Sequence, residues 1–377
     1  MNLIEKNTFR ELANDLTRDE FTCIFGPCSA ESRDQVLEAA STIAKAFPNA
    51  LFRSGIWKPR TRPGAFEGIG AEGLSWLIEV KELYGLEPIT EVATPAHVEA
   101  ILRSNIKYVW VGARTTVNPF SVQELAEALR GSDVTVFVKN PVNPDVSLWI
   151  GAIERMQRAA LKEVKAIHRG FYTHESSAFR NAPRWELVID LKTALPELKV
   201  ICDASHISGH PDLIPGVAQK AVDLDYQGLM IESHPRPKEA LSDAIQQITP
   251  KELIHLMSGL IFRKAETADS EILGRLTELR DRVDGADDAI LQSLIARMKL
   301  VSQIGEHKRK HNMTIFQLQR WEEVLRRTTE SAQASGLSVD FVKRLWEVIH
   351  NESIRLQYDI FNRSSESSWI IQDKKSQ

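Results

Sequence analysis

The chain has 377 residues, 43% of them apolar and 26% charged, and its formal net charge is −4 at pH 7. This composition excludes a disordered chain, and the small net charge excludes a general affinity for nucleic acid or anionic membranes. The three cysteines (Cys23, Cys28 and Cys202) are too few for a disulfide framework and indicate a reducing compartment. The sequence has no signal peptide and no apolar segment of membrane-spanning length, so we expect a cytoplasmic protein.

Eight short β-type segments alternate with amphipathic helical segments in the first two thirds of the chain. The predicted strands are Phe21–Phe25, Leu51–Ile56, Glu87–Val92, Tyr108–Val111, Val134–Val138, Ala166–His168, Val200–Asp203 and Gly228–Ile231. The helical pattern between them is clearest at Val36–Ala46, Ala71–Tyr84, Pro95–Ser104, Val122–Leu129 and Arg184–Leu195. This alternation indicates a parallel sheet, and eight strands favour a closed (β/α)8 TIM barrel, with an open doubly wound sheet as the alternative.

The pattern changes after Ile261, beyond which every segment with a clear periodicity is helical. The predicted helices are Glu271–His311, Gln317–Ser335 and Ser338–Ser364. The first would be roughly 60 Å long, too long to bury its apolar stripe within a small domain, so we expect a homodimer formed through these helices. The predicted organisation is a barrel domain over residues 1–263, a polar linker over 264–270 and a smaller all-helical domain over 271–377.

Charged and metal-ligating side chains follow most of the predicted strands, where a barrel builds its active site. One group offers a sulfur, an imidazole and two carboxylates, a set suited to a divalent transition metal: Cys28, His206, Glu232 and Asp243. A second group contains six cations suited to highly anionic substrates: Arg53, Lys58, Arg60, Arg114, Lys139 and Arg169. Each residue alone has a structural explanation, as a buried cysteine or a solvated charge. Their recurrence at successive strand ends favours a site.

Short motifs stand at these strand ends in the order GPCSAES (26–32), KPRT (58–61), GAR (112–114), VKN (138–140), HRGF (168–171), DASH (203–206), IESHP (231–235) and LSD (241–243). Together they resemble the 3-deoxy-D-arabino-heptulosonate 7-phosphate (DAHP) synthase family. That family is a metal-dependent transferase of the shikimate pathway, the route to the aromatic amino acids. It condenses phosphoenolpyruvate with erythrose 4-phosphate to give DAHP and phosphate.

The resemblance implies a role for each matching residue. The metal ligands would be Cys28, His206, Glu232 and Asp243, and the ion Mn²⁺, with Co²⁺, Fe²⁺, Zn²⁺ or Cd²⁺ as alternatives. Phosphoenolpyruvate would contact Arg53, Lys58, Glu91, Ala113, Arg114, Lys139 and Arg169. Erythrose 4-phosphate would contact Pro59, Arg60, Thr61 and Asp243. Lys58 would serve both substrates and is the candidate for proton transfer. Arg62 departs from the pattern, since a small residue usually follows KPRT. A sibling synthase acting on another sugar is the alternative, although the family's octulosonate branch carries a KANRSS-type loop instead of KPRT.

On the long predicted helix, Arg297 and Lys308 are eleven residues apart and share a face, whereas Arg280 lies about 100° away around the axis. A plain dimerisation helix would have a similar pattern. The motif LRD (279–281), with Asp287, Arg297, Lys308, Arg320, Ser353 and Gln357, resembles the all-helical (type II) chorismate mutases.

The resemblance implies two sites in an intertwined dimer, where an isomerase reaction converts chorismate to prephenate. Arg280 of the partner chain, Arg297 and Arg320 would bind the two carboxylates, and Lys308 and Gln357 the ether oxygen. Two departures affect hydrogen-bond partners of the substrate hydroxyl: Gln317 stands where the family has an acid, and Trp321 where it has Glu. The alternative is a dimerising module that senses prephenate or chorismate and regulates the barrel.

Overall fold

The computed structural model describes residues 21–58, 64, 66–174, 177–262 and 269–362. The chain divides into two compact units, residues 1–265 and 266–377. Most of the predicted linker lies outside the described residues, so the domain boundaries stay a prediction. No described helix combines the length and the apolar character that a membrane span requires.

The first unit contains a closed parallel barrel, which confirms the predicted fold class. Its strands are β1 (Thr22–Gly26), β2 (Leu51–Arg53), β3 (Glu87–Val92), β4 (Tyr108–Val111), β5 (Thr135–Lys139), β6 (Glu163–His168), β7 (Val200–Asp203) and β8 (Gly228–Glu232). They pair in sequence order, and β8 closes the barrel against β1. The strand β2 ends at Arg53, three residues earlier than predicted. Beyond it, Gly55 forms only an isolated bridge with Ser29.

Helices cover the outside of the barrel and connect its strands. They are α1 (Arg33–Ala46), α2 (Glu72–Tyr84), α3 (Pro95–Arg103), α4 (Ala113–Thr116), α5 (Pro119–Leu129), α6 (Val146–Gln157), α7 (Trp185–Ala194), α8 (Ala204–Ser208), α9 (Ile214–Asp223) and α10 (Pro250–Gly259). Local capping explains several starts: Ser32, Thr94 and Asp145 each accept a hydrogen bond from a backbone N–H of the first turn.

One layer of apolar side chains fills the barrel interior: Ile24, Leu51, Ile89, Trp110, Phe137, Ile167, Ile201 and Met230. Because side chains alternate along a strand, the residue two positions further points to the same side. On six strands that residue is polar: Arg53, Glu91, Lys139, Arg169, Asp203 and Glu232. The apolar layer therefore forms the floor beneath a layer of charged groups at the carboxyl ends of the strands.

The second unit contains three helices, α11 (Ser270–Lys310), α12 (Leu318–Ser335) and α13 (Val339–Asn362). Both α11 and α12 pack against α13. Gly305 of α11 marks a close approach, since a Cβ there would lie 3.1 Å from side-chain atoms of Gln357 and Ile360. The glycine thus makes room for a neighbouring helix.

Candidate active sites

Three of the four predicted metal ligands converge at the mouth of the barrel. Ligand atoms of Cys28, Glu232 and Asp243 lie within 4.8 Å of one another. His206 borders this group, with its Nε2 atom 3.8 Å from Glu232 Oε1. Cys28 and Glu232 are fully buried. The set combines soft and hard donors in a shielded position, which suits a divalent transition metal.

Charged neighbours hold the two carboxylates ionised. The Glu232 carboxylate accepts hydrogen bonds from Arg53 Nη2 at 3.0 Å and from Gln246 Nε2 at 2.6 Å. Although burial acts in the opposite direction, the charges of His206 and Arg53 lower the pKa of Glu232. For Asp243, burial is likewise outweighed by His206 and Arg180, so its pKa lies below the ordinary range. Both groups are therefore available as anionic ligands at neutral pH.

Burial and neighbouring charges shift the pKa of the Cys28 thiol, not all in the same direction. Burial and the charge of Glu232 raise its pKa to about 12, against the effect of Lys58. The neutral thiol donates to Asp243 Oδ2 at 3.3 Å, while Lys58 Nζ lies 3.0 Å from the sulfur. A thiolate would form there if a cation replaced the proton.

Asp203 orients the predicted histidine ligand. Its Oδ2 atom lies 2.9 Å from His206 Nδ1 and 2.8 Å from Lys139 Nζ. Burial opposes ionisation of Asp203, but the charges of His206 and Lys139 lower its pKa well below the usual range. The hydrogen bond to Asp203 comes from the His206 backbone N–H, which donates to Oδ1 at 3.2 Å, whereas the ring Nδ1 lies near Oδ2 without a well-aligned hydrogen bond. Nε2, 3.8 Å from Glu232 Oε1, is the candidate ligand atom of the ring.

Buried cations lie next to these ligands at the same mouth. Arg53 is 1% exposed and lies 5.1 Å from the centre of the Trp110 ring; its Nε and Nη1 atoms have no hydrogen-bond partner among the described residues. Lys139 also approaches this ring, at 5.5 Å. Unused donors on a buried guanidinium are costly unless a ligand accepts them. They mark an anion site.

Arg169 adds a third cation. Its Nη1 atom donates to Asn181 Oδ1 at 2.8 Å, and its backbone N–H donates to Asn140 Oδ1 at 2.7 Å. Burial lowers the pKa of Arg169 to about 10; Asp203 opposes this effect, while Arg180 and Arg114 reinforce it. Arg169 therefore lies within the electrostatic influence of further arginines, and such a group of cations suits binding of a phosphate or carboxylate.

The remaining predicted barrel residues divide into two groups. The Glu91 carboxylate accepts a hydrogen bond from Trp110 Nε1 at 3.0 Å, beside the cations. Ala113 and Arg114 begin the short helix α4, directly after β4. Pro59, Arg60, Thr61 and Arg62 lie outside the described residues, so the predicted erythrose 4-phosphate site has only Asp243 within them.

Several site neighbours do not stand at strand ends and were missed in the sequence. Arg180 donates to Asp243 Oδ1 from both Nη1 and Nη2 at 3.1 Å, and Asn181 donates to the carbonyl of His206 at 2.6 Å. Both belong to the long loop between β6 and α7. Gln246 follows Asp243 in a short 3-10 helix. The only sequence signal was the polar character of these segments.

The HRGF motif has a structural component. The His168 ring is fully buried, with Nε2 2.5 Å from the carbonyl of Pro183 and Nδ1 2.9 Å from the hydroxyl of Tyr226. A carbonyl only accepts, so Nε2 carries the proton and Nδ1 accepts from tyrosine. Burial lowers the pKa of His168 to about 3. This neutral histidine anchors the loop that carries Arg169.

In the helical unit, four predicted residues lie close together between α11 and α13. Arg297 Nη1 donates to Ser353 Oγ at 2.6 Å, and Gln357 Nε2 donates to the carbonyl of Ser353 at 3.1 Å. Lys308 Nζ donates to the carbonyl of Ile315 at 2.5 Å. Burial lowers the pKa values of Arg297 and Lys308. Together they form a partly buried cluster of cationic, amide and hydroxyl groups between the helices, which we call the cationic pocket.

The two other predicted arginines are not in this pocket in the single chain. Arg320 is exposed and pairs with Glu323 of its own helix α12. Arg280 lies on an exposed stretch of α11. The structure thus brings together Arg297, Lys308, Ser353 and Gln357, and leaves the predicted roles of Arg280 and Arg320 untested.

Comparison with known proteins assigns a family to each unit. Residues 16–264 match the model of the DAHP synthetase I family, and residues 279–358 match that of chorismate mutase type II. A phospho-2-dehydro-3-deoxyheptonate aldolase of Thermotoga maritima is 28% identical over 243 residues, covering 64% of this chain and 70% of that protein. A 2-dehydro-3-deoxyphosphooctonate aldolase of Variovorax paradoxus is 27% identical over 263 residues, 64% of this chain and 89% of that protein.

Two further similarities involve the second unit and the fold. The T-protein of Enterobacter agglomerans is 30% identical over 88 residues, covering 23% of this chain and 24% of that protein. The crystal structure of the Thermotoga maritima phospho-2-dehydro-3-deoxyheptonate aldolase (DAHP synthase) superposes with a TM-score of 0.56 at 25% identity, covering 63% of this chain and 67% of that one. The chain therefore belongs to the DAHP synthetase I family and is an enzyme that joins a DAHP synthase (transferase) domain to a type II chorismate mutase (isomerase) domain.

Proposed function

We propose that the barrel is a metal-dependent synthase that condenses phosphoenolpyruvate with erythrose 4-phosphate to DAHP and phosphate in the cytoplasm. One observation carries this proposal: the ligand atoms of Cys28, Glu232 and Asp243 lie within 4.8 Å of one another, at the same barrel mouth as buried Arg53. The site for the anionic groups of phosphoenolpyruvate would then be adjacent to the metal site. Formation of a carbon–carbon bond between two phosphorylated substrates requires this.

The donor set fits a divalent ion such as Mn²⁺, with Co²⁺, Fe²⁺, Zn²⁺ or Cd²⁺ as alternatives. Cys28, Glu232 and Asp243 would hold it, with His206 as the fourth ligand, oriented by Asp203 at 2.9 Å. When bound, the ion supplies Lewis-acid polarisation of the aldehyde of erythrose 4-phosphate. The barrel excludes water from the thiol of Cys28, because this residue is fully buried.

The cations bind and orient phosphoenolpyruvate. Its phosphate and carboxylate need several fixed donors, which Arg53, Lys139 and Arg169 offer, with Lys58, Glu91, Ala113 and Arg114 around them. The C3 atom of phosphoenolpyruvate then attacks the aldehyde carbon, water adds at C2, and phosphate leaves. Lys58 Nζ, 3.0 Å from Cys28 Sγ, is positioned between the two sites to transfer a proton. Pro59, Arg60, Thr61 and Asp243 would receive erythrose 4-phosphate.

The decisive test is consumption of phosphoenolpyruvate with erythrose 4-phosphate, measured before and after treatment with EDTA and after adding Mn²⁺ back. We expect activity to disappear and return. The variant Cys28→Ala should bind metal more weakly and recover less activity. No consumption with any of the five ions by a folded protein would contradict the proposal.

A sibling synthase is the alternative for the barrel, because 2-dehydro-3-deoxyphosphooctonate aldolases are among the relatives. An eight-carbon product needs a five-carbon sugar phosphate, whereas a seven-carbon product needs a four-carbon one. Parallel assays with erythrose 4-phosphate and pentose phosphates distinguish the two.

We further propose that the helical domain converts chorismate to prephenate in a homodimer. The pericyclic reaction needs no nucleophile, only fixed charges that hold the folded substrate and stabilise the breaking C–O bond. Arg297 and Lys308, held by Ser353 Oγ at 2.6 Å and Ile315 O at 2.5 Å, support such a role. Gln357 would join Lys308 at the ether oxygen, and Arg320 and the partner chain's Arg280 would bind carboxylates.

The alternative for this domain is a dimerising module that senses prephenate or chorismate and regulates the barrel, with prephenate as the candidate feedback ligand. Gln317 and Trp321, in place of two acids, favour it. The variant Arg297→Ala distinguishes a catalytic domain from a sensing domain. Loss of mutase turnover with an unchanged synthase response to prephenate would argue against sensing through this pocket.

A further inference from the structure

One face of α13 carries a histidine that the mutase resemblance does not assign. His350, Ser353 and Gln357 are three and four residues apart, so they lie on one stripe of the helix. Ser353 and Gln357 contribute to the cationic pocket described above. His350 therefore stands one turn from Ser353, at the same pocket wall.

The His350 ring stacks on the indole of Trp321, with ring centres 4.1 Å apart and planes at 20°. The Phe316 ring packs against it edge-on at 5.9 Å. Its Nε2 atom is buried and has no hydrogen-bond partner among the described residues. The ring thus has a fixed orientation, while its polar atom lacks a partner.

The same pocket influences the histidine electrostatically. Burial lowers the pKa of His350, and the charges of Arg297 and Lys308 lower it further. The imidazole is therefore neutral at neutral pH, with one nitrogen that donates and one that accepts. A buried imidazole nitrogen without a partner is unfavourable in a purely structural role, because its desolvation is uncompensated. A ligand in the pocket would supply the missing partner.

The departures from the mutase pattern identify which ligand group this is. The mutase resemblance implies a Glu at position 321 as a hydrogen-bond partner of the substrate hydroxyl, and this chain has Trp321 there. The indole that replaces it supports His350 instead. A hydroxyl both donates and accepts, so it can pair with Nε2 in either tautomer.

We propose that His350 Nε2 binds the ring hydroxyl of chorismate, with Trp321 holding the imidazole in place. The proposal rests on the mutase function of this domain and assigns a specificity residue to the same site. His350 on α13 would thus bind the hydroxyl that, in the mutase pattern, an acid on α12 binds.

The test measures mutase kcat/KM of the full chain with chorismate and with an analogue that lacks the ring hydroxyl. His350→Phe keeps an aromatic ring on Trp321 and removes Nε2. With chorismate, we expect the kcat/KM of the wild type to exceed that of His350→Phe by about tenfold, which is the effect of one lost hydrogen bond. With the analogue, the two kcat/KM values should be equal. His350→Gln, which retains a side-chain donor and acceptor, should recover part of the loss.

Two controls keep the outcomes distinct. His307→Phe changes an exposed histidine of α11 and should leave both rates unchanged. Equal losses with both substrates, or no loss with chorismate, would overturn the role of His350 while leaving the mutase intact. If His350→Phe does not fold, two other variants decide the role of His350. The role is overturned if His350→Leu retains the wild-type kcat/KM with chorismate, or if His350→Gln has a kcat/KM no higher than that of His350→Leu. Wild type that neither binds nor converts chorismate would overturn the domain's function and this inference together.

Discussion

Asp243 depends on a residue outside the strand-end pattern. The Arg180 guanidinium donates to Asp243 Oδ1 at 3.1 Å from two nitrogens and also to the Gln246 side chain. Asp243 itself has a φ of 47°, a left-handed conformation that is uncommon for residues other than glycine. Arg180 is thus a positioning residue for a proposed metal ligand.

We expect Arg180→Gln to weaken binding of Mn²⁺ by about 10- to 100-fold, the usual effect of removing a group that orients a ligand. Metal titration by calorimetry measures the affinity directly. Excess Mn²⁺ should restore most synthase turnover, as a loss of positioning predicts. The control Arg184→Gln changes an arginine of the same loop that pairs with exposed Glu186. Equal metal affinities of wild type and Arg180→Gln would refute this role.

His168 makes the stability of the barrel depend on pH. Its pKa is about 3 in the folded chain against an ordinary 6.5, and burial is the main cause. Between these values the unfolded chain binds a proton that the folded chain excludes. Stability contributed by the neutral ring is therefore complete above pH 6.5 and decreases as the pH falls towards 3.

The expected contribution is about 1.4 kcal/mol of unfolding free energy per pH unit in this interval. Urea unfolding between pH 6.5 and pH 5 measures it, since this range lies below the ordinary pKa of 6.5. His168→Gln should reduce the slope by about that amount. Tyr226→Phe, which removes the partner of Nδ1 but leaves the ring buried, should retain the slope. Identical slopes for wild type and His168→Gln would contradict the prediction.

At the level of elements, Gly305 controls how closely α11 approaches α13. A Cβ at this position would lie 3.1 Å from both Gln357 Cγ and Ile360 Cδ1. A larger side chain must displace the Gln357 and Ile360 side chains or move α13 away from α11. Gly285, on the same helix, has nothing within 4 Å of its Cβ position.

We expect Gly305→Leu to lower the stability of the helical domain by about 1–3 kcal/mol through overpacking and to reduce mutase turnover more than synthase turnover. Gly285→Leu should be neutral or stabilising, because leucine is a better helix former than glycine. Thermal unfolding and both enzyme assays provide the measurement. Equal effects of the two substitutions would argue against the close approach as the cause.

At the level of the whole molecule, the apolar stripe of α11 favours the proposed dimer. Leu276, Leu279, Val283 and Ile290 are 39–58% exposed in the single chain. They recur at helical spacing along a 41-residue helix. The mutase resemblance implies that, in such a dimer, the partner's Arg280 contributes to the pocket of Arg297.

Mixing two inactive variants tests the shared site. Arg280→Ala and Arg297→Ala should each lose mutase turnover when assayed alone. In a random mixture, half the dimers are mixed and each has one intact site, so we expect about a quarter of wild-type mutase turnover. If both arginines came from one chain, every mixed site would be defective and the mixture would stay inactive. Synthase turnover serves as the internal control for folding.

Much of the barrel could be predicted because its chemistry is local. Each strand is a short apolar segment followed by a turn, and six charged site residues stand two positions after an interior apolar one, as Glu232 follows Met230. Arg180 and Gln246 could not be found in this way. They reach the site through long-range hydrogen bonds that depend on how loops fold over the barrel mouth.

The sequence by itself determined the strand–helix alternation, the order of the site motifs and the change to long helices, because each depends on periodicity or on neighbouring residues. Only the tertiary structure decided that His168 is a buried neutral anchor, that Gly305 admits a helix, and that His350 Nε2 is left without a partner. The physical reason is that burial, pKa and hydrogen-bond satisfaction belong to groups distant in the chain, and folding alone brings those groups together.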